Sequence, residues 1–275
     1  MIIIWSHLVL PLFSVSFKVF KITKWDGLKV TWGPNPEAPG VFTKQPETEK
    51  EALAAGFEKI NECEARYPWK GSRYLKNGDR SLMLLYDVAG YIAGIQAQVP
   101  ENQPNGFPST YQRPPFVKDG SFWTITVYFT DPSKICTTGR TAEEFKQQGI
   151  GSNLYIQNST RPKDSIIIPR NETGLANSLW KKGPCFPMMG THYWWNQSED
   201  LSCDQTFPVF LFYTGQQLVG FGWAFVTNLS SPNYEHPPAI LYKMFMNPVP
   251  KCLMTSGVTT SMHIYLTSQP EKITC

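Results

Sequence analysis

Three histidines lie in the last third of the chain, and imidazole is the side chain most often used for metal binding and acid–base chemistry near neutral pH. They are His192, His236 and His263. If the three rings converge, they could bind zinc or copper with one coordination position open, or act as acid, base and orienting group around a substrate. Their spacing matches no HExxH-type metal motif. Two alternatives stay open: that each ring only forms hydrogen bonds within the core, or that a single one of the three histidines is catalytic.

The densest candidate site is GPCFPMMGTHYWWN, residues 183–196, which combines a histidine with two methionines and four aromatic residues. Methionine and aromatic side chains are typical linings of pockets for small amphipathic ligands. We predict such a pocket, with the imidazole of His192 and the hydroxyl of Tyr193 as polar groups; Tyr193 is also a candidate catalytic residue. The alternative is that these side chains fill the core between a sheet and a helix. The predicted lining is Met188, Met189, His192, Tyr193, Trp194, Trp195 and Trp223.

No stretch of the sequence identifies a reaction or a cofactor. GxGxxG, P-loop, GxSxG and EF-hand motifs are missing, and LVGFGW at residues 218–223 lacks the third glycine of a dinucleotide-binding turn. Paired carboxylates of the kind glycosidases use are not evident. The leading hypothesis is therefore a noncatalytic protein whose partner is a small amphipathic molecule. The alternative is an extracellular enzyme, metal-dependent and oxidative in one version, that uses the three histidines on a substrate.

The elements that would position these residues are indicated by an internal repeat. Four blocks occur in the same order in both halves of the chain, and we predict two copies of one unit, residues 26–136 and 148–275, joined by a polar linker at 137–147. In this alignment His192, His236 and His263 fall opposite Arg73, Arg113 and Thr126. The matched blocks are PWKGSRY (68–74) with PMMGTHY (187–193), LLYDVAGYIAGIQAQV (84–99) with LFYTGQQLVGFGWAFV (211–226), YQRPP (111–115) with YEHPP (234–238), and VYFTDPSKIC (127–136) with IYLTSQPEKITC (264–275).

Each copy reads as a strand, a helix, a hairpin and a final strand. The helix is predicted in PETEKEALAAGFEKIN, where Leu53, Phe57 and Ile60 recur at the spacing of one helical face. Apolar runs on either side of residues 87–90 and 214–217 predict the two hairpins. The predicted fold class is therefore α+β. It consists of two tandem copies of a strand–helix–hairpin–strand unit with mainly antiparallel sheet, related by a pseudo-twofold axis.

The six cysteines follow the same repeat. Two occupy equivalent places in each copy, and the remaining two occur only in the second copy. No two cysteines lie at the spacing of metal ligands, which favours disulfides. The predicted pairs are Cys63–Cys136, Cys185–Cys275 and Cys203–Cys252.

The compartment is predicted from the N-terminus and from glycosylation motifs. Residues 1–16 are apolar and uncharged and end with small residues, as a signal peptide does, although a buried strand or helix remains the alternative. The apolar run is too short for a stable membrane span. Together with an even cysteine count, four Asn-x-Ser/Thr motifs predict a secreted glycoprotein. The acceptor residues are Asn158, Asn171, Asn196 and Asn228.

The charge of the chain indicates whether a nucleic acid is a partner. The chain has 25 Lys and Arg against 22 Asp and Glu, and the basic residues are scattered along it. Binding to a phosphate backbone needs basic residues gathered on one face. We therefore expect no nucleic-acid partner.

Overall fold

The computed structural model describes residues 24–275, so the predicted signal peptide at residues 1–16 lies outside the described part. Most regular structure in the described chain is antiparallel β-sheet. The strands are β1 Lys29–Val30, β2 Thr43–Lys44, β3 Phe57–Asn61, β4 Ser72–Lys76, β5 Asp79–Tyr86, β6 Ile92–Pro100, β7 Val117–Asp119, β8 Phe122–Tyr128, β9 Leu154–Ile156, β10 Ile166–Ile168, β11 Trp180–Phe186, β12 Gly190–Trp195, β13 Val209–Thr214, β14 Gln217–Phe225 and β15 Thr260–Tyr265. The α-helices are α1 Glu49–Ala54, α2 Pro132–Ile135 and α3 Ala142–Gln148. Single 3-10 segments are Thr110–Gln112, Pro162–Asp164, Glu172–Leu175, Cys203–Gln205, Ala239–Met244, Lys251–Met254 and Pro270–Lys272.

The strands form two sheets that share one core. The N-terminal sheet has the order β10-β9-β8-β6-β5-β4-β3, with β7 beside β8, and the C-terminal sheet has the order β11-β12-β13-β14-β15-β1-β2. Side chains from both sheets meet in a single buried cluster, which includes Leu84, Ile95 and Val127 from one sheet and Leu211 and Trp223 from the other. Because successive side chains of a strand point to opposite faces, each sheet also has an outer face directed away from this core.

Each half of the chain contributes strands to the other half's sheet. β1 and β2 come from the N-terminal half but belong to the C-terminal sheet, where β1 pairs with β15 and β2 pairs with β1. β9 and β10 come from the C-terminal half but extend the N-terminal sheet through β8. Residues 26–136 and 148–275 therefore do not fold as two separate modules.

The predicted α+β fold class is wrong, because the described chain is mostly antiparallel sheet with only short helices, and the predicted helix is helical only in its first part. α1 covers only six residues, Glu49–Ala54, and is followed by Gly56 at φ +83° and then by β3. Leu53 and Ile60, expected on a buried helical face, are 54% and 36% exposed. The C-terminal half has only the 3-10 segment Glu172–Leu175 at the corresponding place. Both halves are thus antiparallel meanders rather than strand–helix units.

Three disulfides close loops within the two halves. They join Cys63 to Cys136, Cys185 to Cys275 and Cys203 to Cys252, the pairs expected from the sequence, and the described chain has no free cysteine. Such a set of disulfides fits an extracellular protein that folds in an oxidising compartment. None of the helices in residues 24–275 has the length and hydrophobicity that a bilayer crossing requires.

The segment predicted as a polar linker is tied to both halves. Arg140 is buried and donates hydrogen bonds to the carbonyls of Ile92 and Gly149, and it lies 3.5 Å from the carboxylate of Asp87. Phe145 of α3 stacks on Tyr91 with ring centroids 4.4 Å apart. These contacts hold residues 137–147 against the sheets.

Candidate functional site

A cavity of about 290 Å³ lies on the outer face of the C-terminal sheet. Strands β12 to β15 form its floor, and the loop between β14 and β15 covers it together with Trp32 from the loop after β1. The sheet side contributes Phe186, Met189, His192, Trp194, Phe210, Ala224, Ser261 and His263. The cover contributes Trp32, Glu235, His236, Pro237, Pro238, Leu241, Tyr242, Met244, Phe245, Met246 and Thr259.

Strand alternation decides which residues of β12 reach this cavity. His192 and Trp194 face outward and line it. Tyr193 and Trp195 face the other way and pack against the core between the sheets, where the Tyr193 hydroxyl donates a hydrogen bond to Glu172. The predicted pocket lining therefore divides between two faces of one strand, and Tyr193 is not a residue of the cavity.

The other predicted lining residues divide in the same way. Met189 lines the cavity. Met188 lies in the preceding turn at φ +63° and packs beside the cavity residues without lining the space. Trp223 is fully buried between the sheets. For Met188, Tyr193, Trp195 and Trp223 the structure thus agrees with the alternative of core packing.

The floor of the cavity depends on two glycines of β14. A Cβ at Gly220 would lie 2.0 Å from the ring of Phe212, and one at Gly222 would lie 2.1 Å from the ring of Phe210. Both rings therefore lie flat on the strand where it carries no side chain. Phe210 in turn forms part of the cavity wall.

Hydrogen bonds and a disulfide hold the cover in place. The indole N–H of Trp194 donates to the carbonyl of Phe245 at 2.7 Å, and the Tyr242 hydroxyl bonds to Oγ1 of Thr259 at 2.8 Å. The disulfide Cys203–Cys252 fastens the far end of the cover. The cavity is therefore bounded by a fixed segment on its outer side.

A carboxylate orients one imidazole of the site. Nδ1 of His263 lies 2.5 Å from Oε2 of Glu235, and Oε1 of Glu235 accepts the backbone N–H of Trp32 at 2.6 Å. Because a carboxylate can only accept hydrogen bonds, Nδ1 is the donor in this pair, and Nε2 is the ring nitrogen that remains for another partner. Nε2 forms no hydrogen bond within residues 24–275. His263 thus contributes to the wall of an apolar cavity and has one ring nitrogen without a hydrogen-bond partner among the described residues.

His192 is a neutral ring in an aromatic environment. Its centroid lies 5.7 Å from those of Phe210 and Phe245 and 6.2 Å from that of His263. Burial, and then the proximity of His263, lowers the pKa of His192 from 6.5 to about 3, while nearby backbone carbonyls oppose the shift. Nδ1 of His192 has no hydrogen-bond partner among the described residues. A buried polar atom without a partner is costly unless a ligand or water supplies one.

The three histidines line one cavity, but they do not form a metal site. His236 is exposed at the rim, and its Nε2 lies 2.9 Å from the carbonyl oxygen of Leu229. Nδ1 of His263 is already hydrogen-bonded to Glu235, so this nitrogen is not free to bind a metal ion. Within residues 24–275 no group of three or more His, Cys, Asp or Glu side chains is arranged to hold a metal ion.

The aligned positions in the N-terminal half carry polar side chains, and two of them belong to one hydrogen-bonded network. Arg73, opposite His192, pairs with Asp119 at 2.8 Å, donates to Gln96 at 2.7 Å and stacks over Trp69. Gln96 also donates to Thr126, the residue opposite His263. Arg113, opposite His236, lies 4.1 Å above the ring of Trp123. Polar side chains therefore lie at the places in the N-terminal half that align with the three histidines, and Nη2 of Arg73 has no hydrogen-bond partner among the described residues.

The four sequon asparagines lie at or near the surface. Asn196 and Asn228 are exposed, and Asn158 and Asn171 are half-buried. Oδ1 of Asn171 accepts hydrogen bonds from the backbone N–H and the hydroxyl of Thr173 in its own sequon. Surface position is necessary for glycosylation, and glycosylation at these residues stays a prediction.

Sequence reasoning missed several cavity residues. Phe210 could have been found from strand alternation, since it lies opposite Trp194 on β13. Glu235 directly precedes His236 in the YEHPP block, and this neighbourhood is a local signal for a carboxylate beside an imidazole. The imidazole to which Glu235 bonds is nevertheless that of His263. Trp32 and Phe245 come from distant loops and carry no sequence signal.

No protein-family model, no curated protein and no solved structure matches this chain. The function of the protein is therefore inferred from the geometry of the cavity on its C-terminal sheet.

Proposed function

We propose that the protein is a secreted binding protein that holds one small amphipathic molecule in the cavity on the outer face of the C-terminal sheet. The observation that carries this proposal is the cavity itself, with two imidazoles set into an otherwise aromatic and methionine-rich wall. Its volume of about 290 Å³ is near the lower end of ligand pockets, about 300 to 1,000 Å³. The ligand is therefore small, on the scale of one substituted ring.

The polar atoms of the wall define the chemistry of the ligand. In the neutral tautomer that donates from Nδ1 to Glu235, Nε2 of His263 can accept a hydrogen bond from a ligand, and no acidic or basic side chain other than the already paired Glu235 and the histidines lines the cavity. A ligand with an apolar ring and one hydroxyl would bury the ring against Trp194 and Phe210 and donate the hydroxyl proton to His263. An alkylphenol has this chemistry.

The first test is a tryptophan-fluorescence titration with 4-propylphenol as the probe. Propylbenzene, which is the same molecule without the hydroxyl, is the control compound. We expect saturable quenching by 4-propylphenol, because Trp32 and Trp194 form part of the wall. Propylbenzene should bind about tenfold more weakly, since a hydrogen bond contributes about 1.4 kcal/mol here. A folded wild-type protein that neither probe quenches saturably would contradict the proposal.

Variants that fill the cavity provide the control. Ala224→Phe adds a ring from the floor, and Leu241→Trp adds one from the partly exposed cover, where less repacking is needed. Each should weaken 4-propylphenol binding at least tenfold. Ala55→Phe, at an exposed residue far from the cavity, should leave binding unchanged. Equal affinity in all three variants would place the probe elsewhere.

An extracellular enzyme is the second candidate, and the carboxylate–imidazole pair is the observation that favours it. Glu235 orients His263 as it would orient a general base. The nearest hydroxyl on the same strand, that of Ser261, bonds to Glu235. Turnover of a phenyl ester that is lost in His263→Gln, with folding intact, would support this candidate over the binding protein.

A further inference from the structure

Two polar clefts away from the cavity share part of their walls. The larger, of about 780 Å³, lies between the N-terminal sheet, β2 and the first residues of the loop after β14. The smaller, of about 320 Å³, lies on the N-terminal sheet alone. Because both clefts are lined by Arg80, Gln98 and Phe122, they form one continuous depression. We call it the basic groove, and its walls are residues 43–46, 55, 57, 60, 61, 73, 76–82, 98, 100, 119–122 and 229–234.

The fold gathers basic residues in this groove that lie apart in the sequence. Four basic side chains line it, against two acidic ones. The basic residues are Lys44, Arg73, Lys76 and Arg80, and the acidic residues are Asp79 and Asp119. Lys44, Lys76 and Arg80 form no ion pair with any described residue. Three cations of the groove are therefore available to an anionic ligand.

The two acidic side chains of the wall are engaged within the protein. Oδ2 of Asp119 accepts hydrogen bonds from Arg73 at 2.8 Å and from Gln98 at 2.6 Å. Oδ2 of Asp79 accepts the hydroxyl proton of Ser231 at 2.8 Å. Neither carboxylate therefore neutralises the three cations that have no ion-pair partner.

Acids beyond the wall leave an excess of positive charge. Burial raises the pKa of Glu47 and the charge of Lys44 opposes this shift, so Glu47 lies near Lys44 without forming an ion pair with it. Two further acids close to the groove are each paired with a lysine outside its wall, Glu101 with Lys118 and Glu271 with Lys29. The groove remains a basic site when all three acids are included.

Arg80 is held ready for an anion where the two clefts meet. Its guanidinium lies 4.6 Å from the ring centroid of Phe122, and its Nη1 donates to Oε1 of Gln98 at 2.6 Å. Its other N–H groups form no hydrogen bond with a described residue. A guanidinium fixed along one side presents its remaining N–H groups in the planar arrangement that binds carboxylate or sulfate oxygens.

Two buried polar atoms of the groove wall lack hydrogen-bond partners. Among the described residues, neither Nη2 of Arg73 nor the hydroxyl of Tyr234 has one. Arg73 is only 2% exposed and belongs to the smaller cleft, whereas Tyr234 belongs to the larger one. Buried polar groups are nearly always satisfied by protein, water or ligand. Both clefts thus contain a place where a bound molecule or water completes the hydrogen bonding.

The rest of the wall favours a ligand with many hydroxyl groups. Amide and hydroxyl side chains lie between the basic residues of the larger cleft, and they include Thr43, Asn77, Gln98, Ser230, Ser231 and Asn233. Such side chains both donate and accept hydrogen bonds, as sugar hydroxyls do. The disulfides fit an extracellular protein, and acidic polysaccharides are abundant polyanions outside cells.

We propose that the basic groove is a second binding site, for a short acidic oligosaccharide. Its sulfate or carboxylate groups bind Arg80, Lys44 and Lys76, and its hydroxyls bond to the amide and hydroxyl side chains between them. An acidic peptide is the competing occupant. The proposal does not depend on the ligand of the cavity, so either site can fail its test without the other.

Isothermal titration calorimetry tests this site with a chondroitin 4-sulfate tetrasaccharide as the probe. Chitotetraose is the neutral control, and a tetraglutamate peptide carries the same number of acidic side chains as the probe has acidic groups. The protein is used as a eukaryotic cell secretes it, because Asn228 directly precedes the wall residue Leu229 and any glycan there must leave the groove open. We expect saturable binding of the probe alone. Its affinity should fall about tenfold between about 50 mM and about 200 mM salt, because each ion pair formed releases a counterion.

Variants locate the binding. Arg80→Gln should weaken binding of the tetrasaccharide about tenfold, since a hydrogen bond to a charged group is lost. Lys44→Gln/Lys76→Gln, at two exposed residues, should weaken it about fivefold. Lys163→Gln/Lys181→Gln removes the same charge from exposed lysines outside the groove and should leave binding unchanged.

Three results would overturn the proposal. The first is a folded wild-type protein that gives no saturable binding of the tetrasaccharide. The second is equal affinity for tetraglutamate, which would assign the groove to acidic chains in general rather than to a saccharide. The third is equal weakening by the groove pair and the control pair of lysine variants, which would show that only the net charge of the protein matters.

Discussion

The buried imidazole of His192 couples folding to pH. Its pKa in the folded protein is about 3, against 6.5 ordinarily, mainly because burial disfavours the charged ring. As the pH falls below 6.5 the unfolded chain gains a proton that the folded chain does not. The free energy of unfolding therefore decreases as the pH falls towards 3, by about 2 kcal/mol between pH 7 and pH 5.

Urea unfolding of His192→Phe at pH 7 and pH 5 measures this contribution. Phenylalanine keeps a flat ring in the aromatic environment and cannot titrate, so the loss of stability between the two pH values should be smaller by about 2 kcal/mol. His236→Gln removes an exposed histidine of the same cavity and should retain most of the wild-type pH dependence. An identical pH dependence in His192→Phe and wild type would show that His192 is charged when folded.

At the residue scale, the sequence could locate the region of the candidate site but not its lining. Residues 183–196 do contain part of the cavity wall, because His192 and Trp194 follow one face of β12. Composition alone predicts that Tyr193 and Trp195 lie in the same pocket as His192 and Trp194, because it does not distinguish the two faces of a strand. Strand alternation would have separated the two pairs once β12 was recognised as a strand.

At the element scale, the glycines of β14 determine how much space the cavity has. Gly222→Ala would place a Cβ 2.1 Å from Phe210 and 2.6 Å from the carbonyl of Met262, and the backbone carbonyl cannot yield. The ring of Phe210 must then move into the cavity. We expect a loss of stability of about 1 to 3 kcal/mol and weaker binding of 4-propylphenol, measured by thermal unfolding and by titration. Unchanged values for both would show that the ring has room to shift sideways.

The elements that could be predicted are those with a local signal. Both hairpins form where predicted, β5 with β6 and β13 with β14, because apolar strands flank short turns and residues Gly215 and Gln216 adopt positive φ. The predicted helix ends at Ala54 instead of continuing through Ile60, because Leu53, Phe57 and Ile60 fit a helical period only by coincidence. Pairing of β3 with β4 overrides that weak propensity, and such pairing is a tertiary interaction that one segment cannot reveal.

At the scale of the whole molecule, the compartment is testable with the chain as a cell makes it. Protein secreted from a eukaryotic cell should lose mass on enzymatic deglycosylation, because four sequons lie at or near the surface. Asn→Gln substitution at Asn158, Asn171, Asn196 and Asn228, one at a time, identifies the sites used. Recovery of the protein only from the cytosol, reduced and without glycans, would contradict secretion.

The division into two repeats stays a prediction, although some contacts occur twice. The Tyr74 hydroxyl bonds to Glu49, which pairs with Lys59. The Tyr193 hydroxyl bonds to Glu172, which pairs with Lys182. These two sets of residues fall at aligned places in the two halves. The exchange of strands between the halves has no sequence signal, because a repeat shows which segments are alike but not which of them pair.

The exchange of strands has a consequence for cleavage of the chain by proteases. A single cut within residues 137–147 would separate the chain into two fragments with no disulfide between them, since each bridge lies within one half. The fragments would nevertheless stay associated. The N-terminal fragment contributes β1 and β2 to the C-terminal sheet, and the C-terminal fragment contributes β9 and β10 to the N-terminal sheet. Proteolytic processing at this place would therefore yield a two-chain heterodimer, and neither fragment would be released.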